Sequence, residues 1–232
     1  MPTDLRRLNF QLPAKSTCTS YQIIHSDSGP WYDRPHGDTI KSISQRINYK
    51  NFSMFQSDMN ITSVLQAKEL DNFLDHLSEI NTDAIAYVTL YPMEGFAAVS
   101  DQALQDLVLR LNNGLSRGLR FFIRYSSEMN GNWFPYGQQA TAFLASWRRV
   151  IGYVRQATNN SQNIAFIWAP NSGNGYPFLG GKNITIPRGS PDYLLMDTNN
   201  DGEIDINDDP YTPFYPGDEW VDWVGFSVIL RF

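Results

Sequence analysis

The sequence predicts an α/β fold in which parallel strands alternate with helices. Short apolar stretches of strand-like composition take turns with longer stretches whose apolar residues recur every three or four positions. The first strand centres lie roughly 35 residues apart, the length of one strand, one helix and two loops in a (β/α)₈ barrel. The glycine-rich phosphate loop that usually follows the first strand of a doubly wound sheet is absent from the sequence. We therefore expect a (β/α)₈ TIM barrel, with the doubly wound sheet as the alternative.

Six apolar stretches are predicted to be the strands of this sheet. They cover residues 21–24, 52–56, 84–90, 119–125, 164–168 and 221–227. Because a (β/α)₈ barrel has eight strands, we expect a barrel that is truncated after about strand six. The expected domain organisation is a poorly defined N-terminal segment over residues 1–20 and an incomplete barrel over residues 21–232.

Three amphipathic helices are predicted between the strands, each with its apolar residues on one face. The first covers residues 63–80 and starts with a capping box made by its first residue and Gln66. The second begins after Ser100 and is ended by Gly118, because glycine favours the backbone conformation found just past a helix. The third covers residues 139–158.

The composition excludes several classes of protein. Of the 232 residues, 42% are hydrophobic, which is too many for a disordered chain and enough for one sizeable core. The net charge of −6 disfavours nucleic acid as a partner, and no apolar run is long enough to cross a membrane. The first residues also lack the apolar centre of a signal peptide. One cysteine and three histidines leave oxygen ligands for any metal ion.

The strongest chemical motif follows the predicted strand over residues 119–125. Glu128 stands three residues beyond that strand, and a barrel places its catalytic groups at the carboxyl ends of its strands. Trp133 and Tyr136 come next, and aromatic faces beside a carboxyl group suit the apolar faces of sugar rings. Cleavage between sugars needs a carboxylic acid that protonates the departing oxygen and a second carboxylate. Glu128 fits the first of these two roles.

Three residues near this motif have alternative interpretations without a role in catalysis or binding. For Glu128 the alternative is a surface glutamate in a polar loop. Arg124 is either a substrate ligand or one partner of an ion pair in the core. Trp168, at the end of a predicted strand, lines either the cleft or the core.

The motif around Glu128 resembles glycoside hydrolase family 26 (GH26), retaining enzymes best known as β-mannanases. The positions that match the family pattern are Arg124, Glu128, Met129, Asn130, Gly131 and Trp133. Looser matches lie at residues 90–95, 166–171 and 215–225, so that the resemblance spans about residues 40 to 228. It implies a (β/α)₈ barrel, a retaining mechanism and Glu128 as proton donor. The residues predicted to bind substrate are Arg124, Asn130, Trp133, Tyr136 and Trp168.

Two departures from the family pattern affect the catalytic expectation. Ser127 stands where family members usually carry a histidine directly before the acid. The family nucleophile is a glutamate at the seventh strand, whereas this chain offers only Glu203 and Glu219 after Glu128, neither of them suitably placed. We expect a hydrolase of β-linked polysaccharide, endo-β-1,4-mannan first, whose nucleophile is absent from this chain, so that the chain alone is nearly inactive. The alternative is a non-catalytic carbohydrate-binding pseudoenzyme.

A second motif, over residues 197–208, predicts a calcium site. Oxygen-bearing side chains at loop positions 1, 3, 5, 9 and 12, with Gly202 at position 6, are the arrangement that wraps a calcium ion. The predicted ligands are Asp197, Asn199, Asp201, the carbonyl of Glu203, Asp205 and Asp208. The loop resembles an EF-hand or dockerin loop with aspartate at its last position. The alternative is a solvated turn that holds no metal.

Four Asn-X-Ser/Thr triplets are acceptor sites for glycosylation in a secretory lumen. They lie at Asn51, Asn60, Asn159 and Asn183. Together with the resemblance to secreted polysaccharide hydrolases, they favour an extracellular protein that binds a polysaccharide.

Overall fold

The computed structural model describes residues 23–25, 40, 53–80, 83–178 and 186–227 of the chain. Its six strands form one parallel sheet in the order β1-β2-β3-β4-β5-β6. The strands are β1 (Ile23–His25), β2 (Met54–Asn60), β3 (Ile85–Tyr91), β4 (Arg120–Tyr125), β5 (Ile164–Trp168) and β6 (Trp223–Val224). All six predicted strands are thereby confirmed, although residues 21, 22 and 52 lie outside the described ranges.

Within the described ranges 53–80, 83–178 and 186–227, four α-helices lie between these strands, and their buried side chains lie on one face of the sheet. They are α1 (Val64–Glu79), α2 (Asp101–Ser116), α3 (Ala140–Ala157) and α4 (Pro191–Met196). The first three match the predicted helices, and Ser63 and Ser100 cap α1 and α2 by accepting a backbone hydrogen bond. Gly118 follows α2 with a φ of 83°, as its predicted role requires. The capping box is only half formed, because the Gln66 side chain bonds the backbone N–H of Asn60 instead of that of Ser63.

The sheet separates two apolar layers. Residues that alternate along each strand, such as Val88, Ile123 and Phe166, pack against the helices. The residues between them form a second buried cluster on the opposite face. This inner cluster consists of Met54, Ile85, Tyr87, Phe122, Ala165, Ile167 and Ala169. A sheet that is apolar on both faces, with helices on the outer one, is the wall of a barrel.

The strand order decides between the two architectures that the sequence left open. Each strand pairs in parallel with the next one along the chain, from β1 to β6. A doubly wound sheet reverses its order at a switch point, whereas the strands of a barrel follow one another around it. The structure therefore confirms the predicted α/β barrel architecture. Among the described residues, no helix has the length and apolar character to span a membrane.

Candidate active site

Glu128 lies just beyond the carboxyl end of β4 in an unusual backbone conformation. Its φ is 58° and that of Ser126 is 50°, a region that few residues other than glycine adopt. The Glu128 N–H donates to the Ala169 carbonyl at 2.8 Å, which ties this turn to the residue after β5. The Glu128 carbonyl in turn accepts from the Gly131 N–H at 2.9 Å. These two bonds hold the turn that presents the Glu128 side chain at the carboxyl edge of the sheet.

The Glu128 carboxyl group has one direct side-chain partner among the described residues. The indole N–H of Trp133 donates to Glu128 Oε2 at 2.7 Å, and both side chains are half-buried. The Trp133 ring meets Phe178 edge-on, with 5.1 Å between the ring centroids. The structure thus brings together Glu128 and Trp133, two residues that the sequence predicted to share a site.

A polar layer replaces the apolar inner cluster at the carboxyl end of the sheet. Asp58, Thr89 and Arg124 occupy one row across β2, β3 and β4. The Gln56 amide donates to Asp58 at 2.8 Å and to Thr89 at 3.3 Å. Arg124 Nε donates to the Thr89 hydroxyl at 3.1 Å, and the guanidinium lies 5.4 Å from the Tyr87 ring centroid. Polar side chains thus line the inner face of the sheet at its carboxyl edge, the edge beyond which Glu128 lies.

Among the described residues, no carboxylate oxygen lies within the ion-pair distance of 4.0 Å from the Arg124 guanidinium. The ion-pair interpretation of Arg124 is therefore not supported by the described part of the chain. Its guanidinium is half-buried beside the candidate site, where hydroxyl groups of a ligand are suitable acceptors.

Tyr91, at the end of β3, was not anticipated as a site residue. Burial raises the pKa of the Tyr91 hydroxyl, and the negative charge of Asp58 raises it further. Arg124 and the Ser127 hydroxyl act in the opposite direction, and Glu128 adds a smaller increase. The phenol therefore lies in the electric field of both carboxylates and of the guanidinium. The Tyr91 ring also packs at 5.5 Å from that of Phe134.

Asp58 is a second site residue that sequence reasoning missed. It lies on β2, which continues to Asn60 although its predicted end was residue 56. The sequence contains a signal for the longer strand, because Met59 alternates with polar residues on either side, as in a strand with one apolar and one polar face. The polar face of this strand points into the barrel. In a strand at the surface, such a face would be exposed to water.

Tyr136 was predicted to line the cleft, and the structure corrects this expectation. The side chain is 0% exposed, and its hydroxyl donates to the Ser127 carbonyl at 2.8 Å. Its ring stacks on Phe134 with 5.1 Å between centroids. Tyr136 thus supports the turn before Glu128 from behind, and a fully buried ring cannot contact a sugar.

Asn130 and Trp168 were also predicted to bind substrate, and both are buried instead. The Asn130 side chain is 0% exposed and forms two hydrogen bonds with the backbone of Asn171. The Trp168 side chain is 5% exposed, and its N–H donates to the Phe214 carbonyl at 2.8 Å. The core interpretation of Trp168 is the correct one, because its side chain points to the helix-covered face of the sheet.

Neither Glu203 nor Glu219 is placed to act as the second carboxylate beside Glu128. Glu203 is exposed and forms an ion pair with Arg188 in the loop after β5. Glu219 lies in a short 3₁₀ helix whose backbone accepts a hydrogen bond from Arg155, near the C-terminal end of α3. The end of α3 leads into the amino end of β5, so Glu219 lies at the opposite edge of the sheet from Glu128.

The acidic loop over residues 197–208 is folded tightly around its own carboxylates. Asp197 accepts from the N–H groups of Asp201 and Gly202 at 3.1 and 2.9 Å. Asp208 accepts from the N–H groups of Thr198 and Asp205 at 2.6 and 2.8 Å. Burial opposes ionisation of Asp208, but these backbone donors lower its pKa below the ordinary value. Its charged form is therefore favoured.

A metal-binding arrangement is not evident within this loop. Nowhere in the described ranges, which include all of residues 197–208, do three or more His, Cys, Asp or Glu side chains gather as metal ligands. The calcium site therefore remains a prediction. Gly202, at the sixth loop position, has a φ of 87°, which agrees with the sharp turn that a calcium loop requires.

No protein-family model matches the sequence, and the search of curated proteins found no match. Solved structures do match the fold. The catalytic domain of a GH26 endo-β-1,4-mannanase from Bacillus sp. JAMB-750 aligns with a TM-score of 0.54 and 18% identity over 88% of this chain and 56% of that one. A GH26 β-(1,4)-mannanase from Podospora anserina aligns with a TM-score of 0.52 and 12% identity, over 89% of this chain and 44% of that one.

A third match is a β-mannanase from a symbiotic protist of the termite Reticulitermes speratus, in complex with gluco-manno-oligosaccharide. It aligns with a TM-score of 0.52 and 14% identity, over 89% of this chain and 63% of that one. The chain thus spans between 44% and 63% of the length of these three structures. At such low identities the similarity concerns the fold, which is the α/β barrel fold of these mannanases.

Proposed function

We propose that the protein is a glycoside hydrolase of β-linked polysaccharide and that Glu128 is its general acid. The observation that carries this proposal is the Glu128 carboxyl group, half-buried at the carboxyl end of β4 and hydrogen-bonded by Trp133. A barrel concentrates its chemistry at this edge, and protonation of a glycosidic oxygen requires a carboxyl group of this kind. The barrel fold shared with two GH26 mannanases and a third β-mannanase supports the same assignment.

Two pairs of aromatic side chains near Glu128 support a sugar as the ligand. Trp133 and Phe178 form one pair, and Tyr91 and Phe134 form the other. All four rings are half-buried, so parts of their surfaces remain accessible to a ligand. Aromatic surfaces suit the apolar faces of pyranose rings, and the Arg124 guanidinium adds donors for hydroxyl groups.

The mechanism that we propose is retaining. Glu128 donates its proton to the departing glycosidic oxygen while a second carboxylate attacks the anomeric carbon and forms a covalent glycosyl intermediate. In the second step, the Glu128 carboxylate takes a proton from water, and the water oxygen displaces the second carboxylate. None of the described residues is assigned as that second carboxylate.

Mannan is the first substrate to test. Two of the similar structures are described as β-1,4-mannanases, and the third contains gluco-manno-oligosaccharide. A chain with a net charge of −6 also has no electrostatic preference for an acidic polysaccharide over a neutral one such as mannan.

The experiment compares the full-length protein with its Glu128→Gln variant on β-1,4-mannan, xylan and mixed-linkage glucan. Glutamine keeps the shape of the side chain and removes the proton. We expect release of reducing sugar from mannan, reduced about 10²- to 10⁴-fold in the variant. Glu79→Gln is the matched control, because Glu79 is exposed at the end of α1, away from the site. Binding of mannan without hydrolysis would favour the carbohydrate-binding pseudoenzyme.

We also propose that the loop over residues 197–208 binds a structural calcium ion. Its ligand spacing supports this proposal, as does the positive φ of Gly202. Asp208, the last predicted ligand, accepts a hydrogen bond from the residue directly after Asp197, the first one. The two ends of the loop therefore lie together, and a cation at this point would link a long connection between β5 and β6.

A further inference from the structure

The contact between Trp133 and Glu128 is directional. An indole N–H can donate a hydrogen bond but cannot accept one. Glu128 Oε2, at 2.7 Å from Trp133 Nε1, is therefore the acceptor in both protonation states of the carboxyl group. When Glu128 is protonated, its proton is favoured on the other oxygen, Oε1, because an unprotonated carboxyl oxygen is the better acceptor for the indole N–H. The contact thus distinguishes two oxygens that are chemically equivalent in a free carboxyl group.

The loop around Gly131 is built to allow this contact. A Cβ atom added to Gly131 would lie 2.4 Å from two atoms of the Trp133 ring, closer than real Cβ atoms approach any neighbour. Gly131 does not have a positive φ, so its backbone does not itself require glycine. The space occupied by the Trp133 ring accounts for glycine at this position. The Gly131 N–H also donates to the Glu128 carbonyl. Gly131 therefore both leaves space for the Trp133 ring and holds the backbone of Glu128.

We propose that Trp133 is a positioning residue that holds the Glu128 carboxyl group through Oε2 and thereby reserves Oε1 for proton transfer to the leaving oxygen. This inference rests on the proposed function of Glu128. It assigns to the indole N–H a role separate from any contact between the Trp133 ring and a sugar. Orientation of a general acid contributes to catalysis because the proton must be aligned with the oxygen that accepts it.

The contact is tested first without any catalytic assay. Resonances of the indole N–H groups in ¹⁵N-labelled full-length protein are assigned with Trp133→Phe. We expect Glu128→Gln to shift the Trp133 indole resonance and to speed its hydrogen exchange about 10-fold or more, because the acceptor loses its charge. The Glu79→Gln control should leave the resonance unchanged. An indole resonance that does not respond to Glu128→Gln would overturn the inference.

Gly131→Ala provides a second variant that leaves both partners in place. The added methyl group must displace the Trp133 ring, so we expect the same indole resonance to move. Gly152→Ala is the matched control, since its Cβ would meet Trp220 at an ordinary 3.4 Å. A Trp133 resonance that is unaffected by Gly131→Ala would contradict the packing argument.

A kinetic experiment then compares kcat/KM for aryl β-mannosides with good and with poor leaving groups. A good leaving group departs without protonation, whereas a poor one needs the acid. For Trp133→Phe, which keeps an aromatic ring, we expect kcat/KM to fall about 10- to 100-fold with the poor leaving group, as for loss of one hydrogen bond to a charged group. With the good leaving group the loss should be less than about threefold.

The outcomes separate this inference from the proposed function. Equal losses with both leaving groups would mean that Trp133 acts by binding substrate or by supporting the fold, and would overturn the positioning role. If the wild-type protein cleaves no β-glycoside, the proposed function fails. The indole resonances then still decide whether Trp133 holds the Glu128 carboxyl group.

Discussion

The side chain of Asn130 forms two hydrogen bonds with the backbone of Asn171, one in each direction. Its amide donates to the Asn171 carbonyl at 2.9 Å, and its oxygen accepts from the Asn171 N–H at 2.8 Å. This pair joins the loop after β4, which carries Glu128, to the chain just past β5. A residue that the motif suggested for substrate binding therefore holds two loops of the site together.

Asn130→Ala is accordingly expected to reduce stability. The substitution removes two hydrogen bonds and leaves the backbone groups of Asn171 without these partners, at a cost of about 2–4 kcal/mol. Urea unfolding of the full-length protein measures this loss. Asn113→Ala, on the exposed face of α2, is the control and should cost less than about 0.5 kcal/mol. Unchanged stability of Asn130→Ala would refute the linking role.

The fold could be predicted from the sequence because its helices and strands are strongly patterned. The outer faces of β3, β4 and β5 are apolar, and α1, α2 and α3 each have one apolar stripe with recognisable ends. The end of β2 escaped prediction because Asp58 and Asn60 are polar residues within a strand. Asp58 lies in the polar layer of the candidate site, where the usual preference for apolar barrel residues does not hold.

The candidate site was predicted less well than the fold, for a physical reason. Glu128 and Trp133 are adjacent in one loop, so the local sequence was sufficient to place them together. Whether Tyr136 and Trp168 face a cleft or the core depends on distant residues such as Phe214, which packs behind the sheet. Aromatic composition alone does not distinguish these two environments, since both contain tryptophan and tyrosine.

Buried tyrosines predict that stability decreases in alkaline solution. Tyr125 is 0% exposed and shares a 2.6 Å hydrogen bond with the Ser146 hydroxyl. Burial raises its pKa from 10.0 to about 12. The unfolded chain therefore loses this proton first, and its contribution to stability is complete below pH 10 and is lost as the pH rises towards 12.

The expected loss from Tyr125 is roughly 3 kcal/mol across that pH range, at about 1.4 kcal/mol for each unit by which the pKa is raised. Urea unfolding at several pH values between 9 and 12 measures it. Tyr125→Phe should flatten the decline while lowering stability at neutral pH by about 1 kcal/mol, since Ser146 loses its partner. A decline of the same slope in Tyr125→Phe would show that other groups cause it.

Calcium is expected to raise the melting temperature of the protein. A ligand that binds the folded state alone adds about 2.7 kcal/mol at 100 times its dissociation constant, which corresponds to several degrees. Calorimetry in calcium and in a chelator measures this difference. Asp201→Ala removes the ligand at loop position 5 and should abolish the dependence on calcium. Equal melting temperatures of the wild-type protein in both solutions would refute the calcium site.

The central claim, that Glu128 is the acid and base of a retaining glycosidase, is tested most directly by chemical rescue of Glu128→Ala. The substrate is an aryl β-mannoside whose good leaving group departs without protonation, and the measurement is its turnover with and without azide. Without the base, water attacks the covalent intermediate slowly, whereas azide needs no base. We predict slow turnover that azide restores, with β-mannosyl azide as the product. Turnover that azide does not change, or wild-type activity of Glu128→Ala on mannan, would contradict the account.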